Sequence, residues 1–146
     1  LQGANLSAAY LVWTNFSDAK LIEANFSEAN LIKSNLTGAN LTKTNFEGAY
    51  LGWTDLSRVT LENTNFLGSY LGWTNLSEAN LKGANLTKTN FEGANLIRTN
   101  FEDANLADAN LSEANLSMVN FKNTNLTGAV FCNTTLYSND VVAFGC

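Results

Sequence analysis

Leucine or phenylalanine stands at every fifth position from Leu1 to Leu136 without exception, and the residues between are mostly polar or small. The residue before each of these centres is usually asparagine, and the one before that is small. Ala4-Asn5-Leu6, Thr14-Asn15-Phe16, Ala24-Asn25-Phe26, Ser34-Asn35-Leu36 and Ala104-Asn105-Leu106 show the pattern. The two following positions are polar or variable, as in Ser27-Glu28, Thr37-Gly38 and Lys122-Asn123. A period of five fits neither a helix, at about 3.6, nor a flat strand, at about 2, so neither template buries all the centres. They share one interior only if the chain turns by the same angle after every repeat. That predicts a closed superhelix of short repeats whose neighbouring coils bury one another.

These residues resemble the pentapeptide-repeat family, whose consensus is Ala-(Asp/Asn)-Leu-X-X, over essentially the whole chain to residue 136. The resemblance implies an all-β fold: a right-handed, four-sided (quadrilateral) parallel β-helix with roughly twenty residues per coil and about seven coils. At a strand spacing of roughly 4.8 Å the rod is on the order of 34 Å long. Residues 1–136 form the β-helix on this reading, and 137–146 a degenerate C-terminal cap. Side-chain burial alone falls short of the chain's ordering entropy, so inter-coil hydrogen bonds and tight packing of the small position supply the rest. Val59 and Val119 are the bulkiest residues at that small position in the regular rod, which predicts bulging near both.

Stacking at twenty residues per coil sorts the surface into columns. One carries asparagine throughout, at Asn5, Asn25, Asn45, Asn65, Asn85, Asn105 and Asn125, where the amides can hydrogen-bond as a ladder. A second column holds Tyr10, Tyr50 and Tyr70, and a third, three residues on, holds all three tryptophans, Trp13, Trp53 and Trp73. Asn30 and Lys33 occupy the intervening coil, which sets the Lys33 ammonium where it can pack over indole. Gly52 and Gly72 leave the backbone between the rings uncovered on this reading, open to close approach by a ligand. The aromatic stripe is either a stacked ladder that stiffens the rod or a surface for a protein partner, and the two are compatible. A platform for sugars is a variant of the second. Tyr10, Trp13, Lys33, Tyr50, Trp53, Tyr70 and Trp73 are therefore the candidate partner-binding residues.

Composition narrows the function classes. The 146 residues suit one domain, and no break in the period suggests a linker. Histidine and proline are absent. The commonest general base and the commonest transition-metal ligand are therefore missing, and two cysteines make no four-thiolate site. A filled β-helix has no cleft to desolvate a carboxylate pair, so no enzymatic activity, catalytic residue, metal or cofactor is expected. Thirteen acids against eight bases give a net charge of −5, which argues against direct nucleic-acid binding. Acids are densest at Glu92, Glu102, Asp103, Asp108 and Glu113, with Arg98 among them, and they wrap around the rod. No stretch approaches the roughly twenty apolar residues of a membrane span. The Asn-X-Ser/Thr triplets arise from the repeat itself. Leu1 is already in register, which fits either a mature chain after signal removal or a trimmed piece.

After Leu136 the pattern decays. Ser138-Asn139-Asp140 reads as a turn, and Phe144 is placed to fold over the open end of the interior. Cys132 and Cys146 flank this segment. A bridge between them would pin the cap, closing about fifteen residues for roughly 3 kcal/mol on the loop-entropy model. Two unpaired thiols are the alternative, since Cys146 falls on a centre position. A bridge would imply an oxidising compartment, the periplasm or a lumen; without one the chain is cytoplasmic. The stretch Phe131-Cys132-Asn133-Thr134-Thr135 resembles the closing segment of small family members, abundant in cyanobacteria and placed in part in the periplasm or thylakoid lumen.

The function expected is a non-catalytic protein-interaction or structural scaffold with an unidentified protein partner, as a monomer or an end-to-end dimer. The alternative comes from the family branch that resembles B-form DNA and modulates DNA gyrase or topoisomerase. This chain has the rod and the sign of charge. It lacks the loop insertions and the C-terminal dimer module of those members, and −5 over all faces is sparse beside a duplex with one charge per roughly 1.7 Å.

Overall fold

The computed structural model describes residues 1–136 and the backbone of 140–144. Parallel backbone pairs join residues twenty apart in four series, beginning Asn5↔Asn25, Tyr10↔Asn30, Asn15↔Asn35 and Lys20↔Asn40 and running to Asn115↔Thr135. Each coil is thus four-sided, with one paired residue per side. The coils stack in register to the end of the regular rod.

Each five spends its amides in a fixed way. The residue before a centre donates to the preceding coil, as Asn25 N to Ala4 O at 2.9 Å, and the centre donates to the next coil, as Leu6 N to Asn25 O at 2.7 Å. The second residue after the centre also donates to the next coil, as Ala8 N to Ser27 O at 2.8 Å. The small residue closes a turn onto the centre, as Ala9 N to Leu6 O at 3.2 Å. The remaining amide, directly after the centre, is met by the asparagine side chain, as Ser27 N to Asn25 Oδ1 at 3.0 Å. All five donors of such a repeat are satisfied, which a chain of turns needs in order to be buried.

The turns explain the third residue of each repeat. Every fifth residue from Gly3 to Asn133 has a positive φ, between 53° and 72°. The residue before it does not, which is the signature of a type II turn at each corner. Glycine fills some of these corners, but Trp, Lys, Glu, Asp and Arg fill others. No Val, Ile or Thr occurs among them, because a β-branched side chain is a steric outlier in the left-handed region.

The centres fill the interior. Leucines and phenylalanines from Leu21 to Leu111 are fully buried, those of the first and last coils are partly so, and Leu1 is exposed. Phe26, Phe46 and Phe66 stack through the core at 5.1 and 4.8 Å between ring centroids, following the coil spacing. The buried small position carries Ala, Ser and Thr, and Thr hydroxyls there donate to core carbonyls, as Thr44 Oγ1 to Leu21 O at 3.0 Å. Among the described residues from Ala4 to Ala129, only Val59 lacks the turn bond to its centre; Val119 keeps its bond at 3.3 Å, within the range of Thr64 and Thr74 at 3.4 and 3.3 Å.

The regular rod ends in a hairpin. β1 (Phe131–Leu136) pairs antiparallel with β2 (Asp140–Phe144), with Leu136 opposite Asp140 and Phe131 opposite Phe144, and an irregularity between Phe131 and Thr134. β1 also rests on the coil below, through Glu113 N to Cys132 O at 2.8 Å and Thr135 N to Ala114 O at 3.0 Å. Of the expected turn, Ser138 and Asn139 lie outside the described residues, as does Cys146; Asp140 opens β2.

Candidate functional site

The aromatic stripe lies on one face of the rod, and its rings point outward. Trp13 is 73% exposed, Trp53 60% and Trp73 43%, with Tyr10 and Tyr50 also exposed and Tyr70 at the boundary with 36%. The tryptophans and Lys33 sit at left-handed corners, with φ near 60°, and that geometry throws their side chains off the rod.

The column is packed along its length. Lys33 Nζ lies 5.0 Å from the Trp13 ring centroid. Trp53 and Trp73 stack at 5.5 Å and 10° between planes. Corner side chains lean toward the following coil, and Trp73 comes to rest on Gly93: a Cβ there would lie 2.6 Å from Trp73 Cδ2. Gly93 is a residue that sequence reasoning passed over. Trp53 and Trp73 cover one face of each other and Gly93 covers the far face of Trp73, so the pair presents its edges and the remaining face of Trp53 to a partner.

The expectation that Gly52 and Gly72 leave open backbone is corrected. Both glycines are buried, and the ring of Tyr70 fills the space above them. A Cβ at Gly72 would meet Tyr70 Cζ at 2.6 Å, and one at Gly52 would meet Tyr70 Cε1 at 3.0 Å. These glycines make room for the tyrosine, which spans two coils. Spacing in the sequence placed Tyr70 in its column but could not say which way the ring would fall.

The stripe interrupts the repeat's own hydrogen bonding. In the asparagine column the amides form rungs, as Asn65 Nδ2 to Asn45 Oδ1 at 3.0 Å and Asn85 Nδ2 to Asn65 Oδ1 at 3.0 Å. That ladder breaks once, where Asn105 Nδ2 turns to Thr87 Oγ1 at 2.9 Å. In the tyrosine column the rungs are missing wherever a ring replaces an amide. Asn30 follows Tyr10 and Asn90 follows Tyr70, so neither Nδ2 has an acceptor among the described residues. The amides of Val12, Gly52 and Gly72 likewise lack the Oδ1 that other repeats provide. The exposed rings thus stand at a local cost in hydrogen bonding, as Lys20 and Thr60 do in another column, and a local cost of this kind is accepted where a residue serves something other than stability.

Beside the stripe lies a shallow open groove of about 450 Å³, lined by Glu28, Asn45, Glu47, Gly48, Leu67 and Gly68 with Ser27 at its edge. Gly48 and Gly68 stand two residues before Tyr50 and Tyr70, so groove and tyrosines share the same coils. Glu47 Oε2 accepts from Asn65 Nδ2 at 3.3 Å, and neither Glu28 nor Glu47 has an ion pair among the described residues. Some acids elsewhere are paired along columns, although Asp18, Asp55, Glu62, Glu92, Asp108 and Glu113 have no ion pair among the described residues. Glu102 sits between Lys122, at 2.9 Å, and Lys82, at 3.4 Å, and Arg98 lies 3.9 Å from Glu78. The Lys122 hydrogen bond holds the Glu102 carboxyl below the usual carboxylate range and raises the Lys122 ammonium in turn.

Among the described residues no group of three His, Cys, Asp or Glu side chains is placed to hold a metal ion, and no helix is long and apolar enough to cross a membrane.

A family model described as Pentapeptide repeats matches the chain in eight copies, over residues 1–38, 9–48, 19–58, 54–93, 84–123 and 114–141. No curated protein matches it. The fold is similar to that of HetL, a pentapeptide repeat protein involved in heterocyst differentiation regulation from the cyanobacterium Nostoc sp. strain PCC 7120. The TM-score is 0.77 at 27% identity, over 97% of this chain and 70% of HetL. Full-length QnrB1, a plasmid-mediated fluoroquinolone resistance protein, aligns with a TM-score of 0.52 and 18% identity over 99% of this chain and 84% of its own, a likeness of fold alone. Rfr23, a pentapeptide repeat protein from the cyanobacterium Cyanothece 51142, aligns at 29% identity over 95% and 88% of the two chains, with a TM-score of 0.49.

Proposed function

Because this chain belongs to the pentapeptide repeat family, we propose that it is a non-catalytic scaffold: a rigid right-handed rod that docks a protein partner on the Tyr10–Trp73 face. The observation that carries the reading is the run of exposed rings along that face, Tyr10, Trp13, Tyr50, Trp53, Tyr70 and Trp73. Contiguous exposed aromatics mark contact surfaces, and Trp and Tyr dominate their energetics. A stiff core of stacked centres holds the face at fixed spacing, so little ordering entropy is lost on docking.

The DNA-mimic reading has less support. Bases are interleaved with acids along the columns of Glu102 and Glu78, which breaks up any continuous negative surface. Normal supercoiling by gyrase in the presence of the protein would count against it, and inhibition at micromolar protein would revive it.

The test of the scaffold reading is affinity capture from the source organism's extract with the intact chain and with Trp53→Ala/Trp73→Ala, followed by a binding titration with the purified captured protein. Retention by the first and loss by the second supports the reading. Equal capture by both would reduce the rings to a structural ladder.

The division at residue 136 and the Cys132–Cys146 bridge belong to the same proposal. Among the described residues no cysteine is free, which supports the bridge. With the bridge goes a periplasmic or lumenal location. Intact-mass analysis before and after reduction checks it: an unchanged mass would leave two thiols and a cytoplasmic protein.

A further inference from the structure

We infer that the segment received by the aromatic face is an extended, basic stretch of polypeptide, with an arginine seated in the Glu28/Glu47 groove and its neighbours lying over Tyr50, Tyr70 and the edge of Trp53. This deepens the scaffold reading and rests on it.

Charge selects the occupant. Glu28 and Glu47 open together onto one groove, with no Lys or Arg lining it and no ion pair of their own among the described residues. An acidic partner would be repelled there, and a basic one is drawn by the overall charge of −5 as well. Leu67 and the bare backbone of Gly68, whose Cβ position is open, give the methylene stem of the basic residue an apolar bed.

The ring column already takes a cation. Lys33 on Trp13 is the chain's own example, and among the described residues no cation lies over the Trp53–Trp73 pair. Arginine suits this site better than lysine. Its planar fork meets a carboxylate with two donors and also stacks on tyrosine.

Hydrogen-bond supply selects an extended backbone. The unpaired Nδ2 groups of Asn30 and Asn90 bracket Tyr50 and Tyr70 on the same column. They are donors without acceptors, and the unpaired carbonyls of an extended segment are acceptors without donors.

The experiment uses the full chain, immobilised, and a random dodecapeptide library displayed on phage, with selected peptides then synthesised and measured by fluorescence anisotropy. Enrichment of arginine beside aromatic or proline residues is the expected result. Affinity should fall about tenfold in Glu28→Gln/Glu47→Gln and in Trp53→Ala/Trp73→Ala, and with rising salt. Glu23→Gln, on another face beside Lys43, should change nothing. Peptides without a basic residue, or an affinity indifferent to Glu28→Gln/Glu47→Gln, would overturn the inference. So would an empty selection, or binding of maltohexaose or chitohexaose in place of peptide. A captured partner lost with Trp53→Ala/Trp73→Ala but kept with Glu28→Gln/Glu47→Gln would leave the scaffold standing and remove the basic segment. Indifference to both pairs of substitutions would remove both.

Discussion

Trp73 rests on Gly93: one coil on, at the same corner, the missing side chain is what lets the indole lie down against the rod. Gly93→Ala should therefore unseat Trp73. The substitution also places alanine at a φ of +65°, a strain of about 1–2 kcal/mol by itself. Gly68→Ala supplies the control, since Gly68 has a φ of +63° with nothing near its Cβ position. Both variants should lose stability, Gly93→Ala by about 1 kcal/mol more. Only Gly93→Ala should alter tryptophan emission and near-ultraviolet dichroism. Identical spectra would mean that the seat is not occupied in solution.

The corner geometry makes a sharper demand on side-chain shape than on size. Ala107 precedes its corner residue, and Asp108 occupies the corner with a φ of 57°. Ala107→Val should be close to neutral, while Asp108→Val should cost about 1–2 kcal/mol in urea denaturation, because the β-branch clashes in the left-handed region. Equal effects at the two adjacent sites would contradict the type II turn.

Restoring the ladder should stabilise the rod and remove the site. Asparagine in place of Tyr50 would reach Asn30 Oδ1 with its amide and would meet the Gly52 amide with its own Oδ1, as Asn65 does for Leu67 at 3.2 Å. Two recovered hydrogen bonds contribute about 1–2 kcal/mol, against a half-exposed ring that packs little. Tyr50→Asn should thus raise the melting temperature while weakening partner capture. A lower melting temperature would show that the tyrosine is structural.

Glu102 and Lys122 predict where ion pairing enters the pH profile. The Glu102 pKa is lowered in the folded state, chiefly by the Lys122 hydrogen bond and further by the charges of Lys122 and Lys82. Its contribution is present above the unfolded carboxylate value and is lost as pH falls through the lower folded value. Lys122 is raised, so its contribution is full below the unfolded lysine value and fades as pH climbs through the higher folded one. Glu102→Gln should flatten both limbs of urea midpoint against pH. An unchanged acid limb would mean that the exposed pair is screened away.

The sequence alone determined the interior and the columns. A centre at every fifth residue cannot be buried by helix or strand, so a superhelix of short repeats follows from the period, while the twenty-residue coil that stacks the surface into columns follows from the resemblance to the family. The disturbance at Val59 was legible from its bulk at the small position, and the cation of Lys33 over Trp13 from their shared column. Even the corner rule was written in the chain, in the absence of β-branched residues from Gly3, Ala8, Trp13 and their successors, but it becomes readable only once φ is known.

Only the tertiary structure decided how side chains lie across coils. Tyr70 over Gly52 and Gly72, Trp73 over Gly93, the stranded amides of Asn30 and Asn90, and the meeting of Glu28 with Glu47 in one groove all involve neighbours from adjacent coils. Period and spacing specify where a Cα stands. Which way a ring leans, and what it leaves uncovered, is settled by contacts between coils that no local stretch of sequence contains.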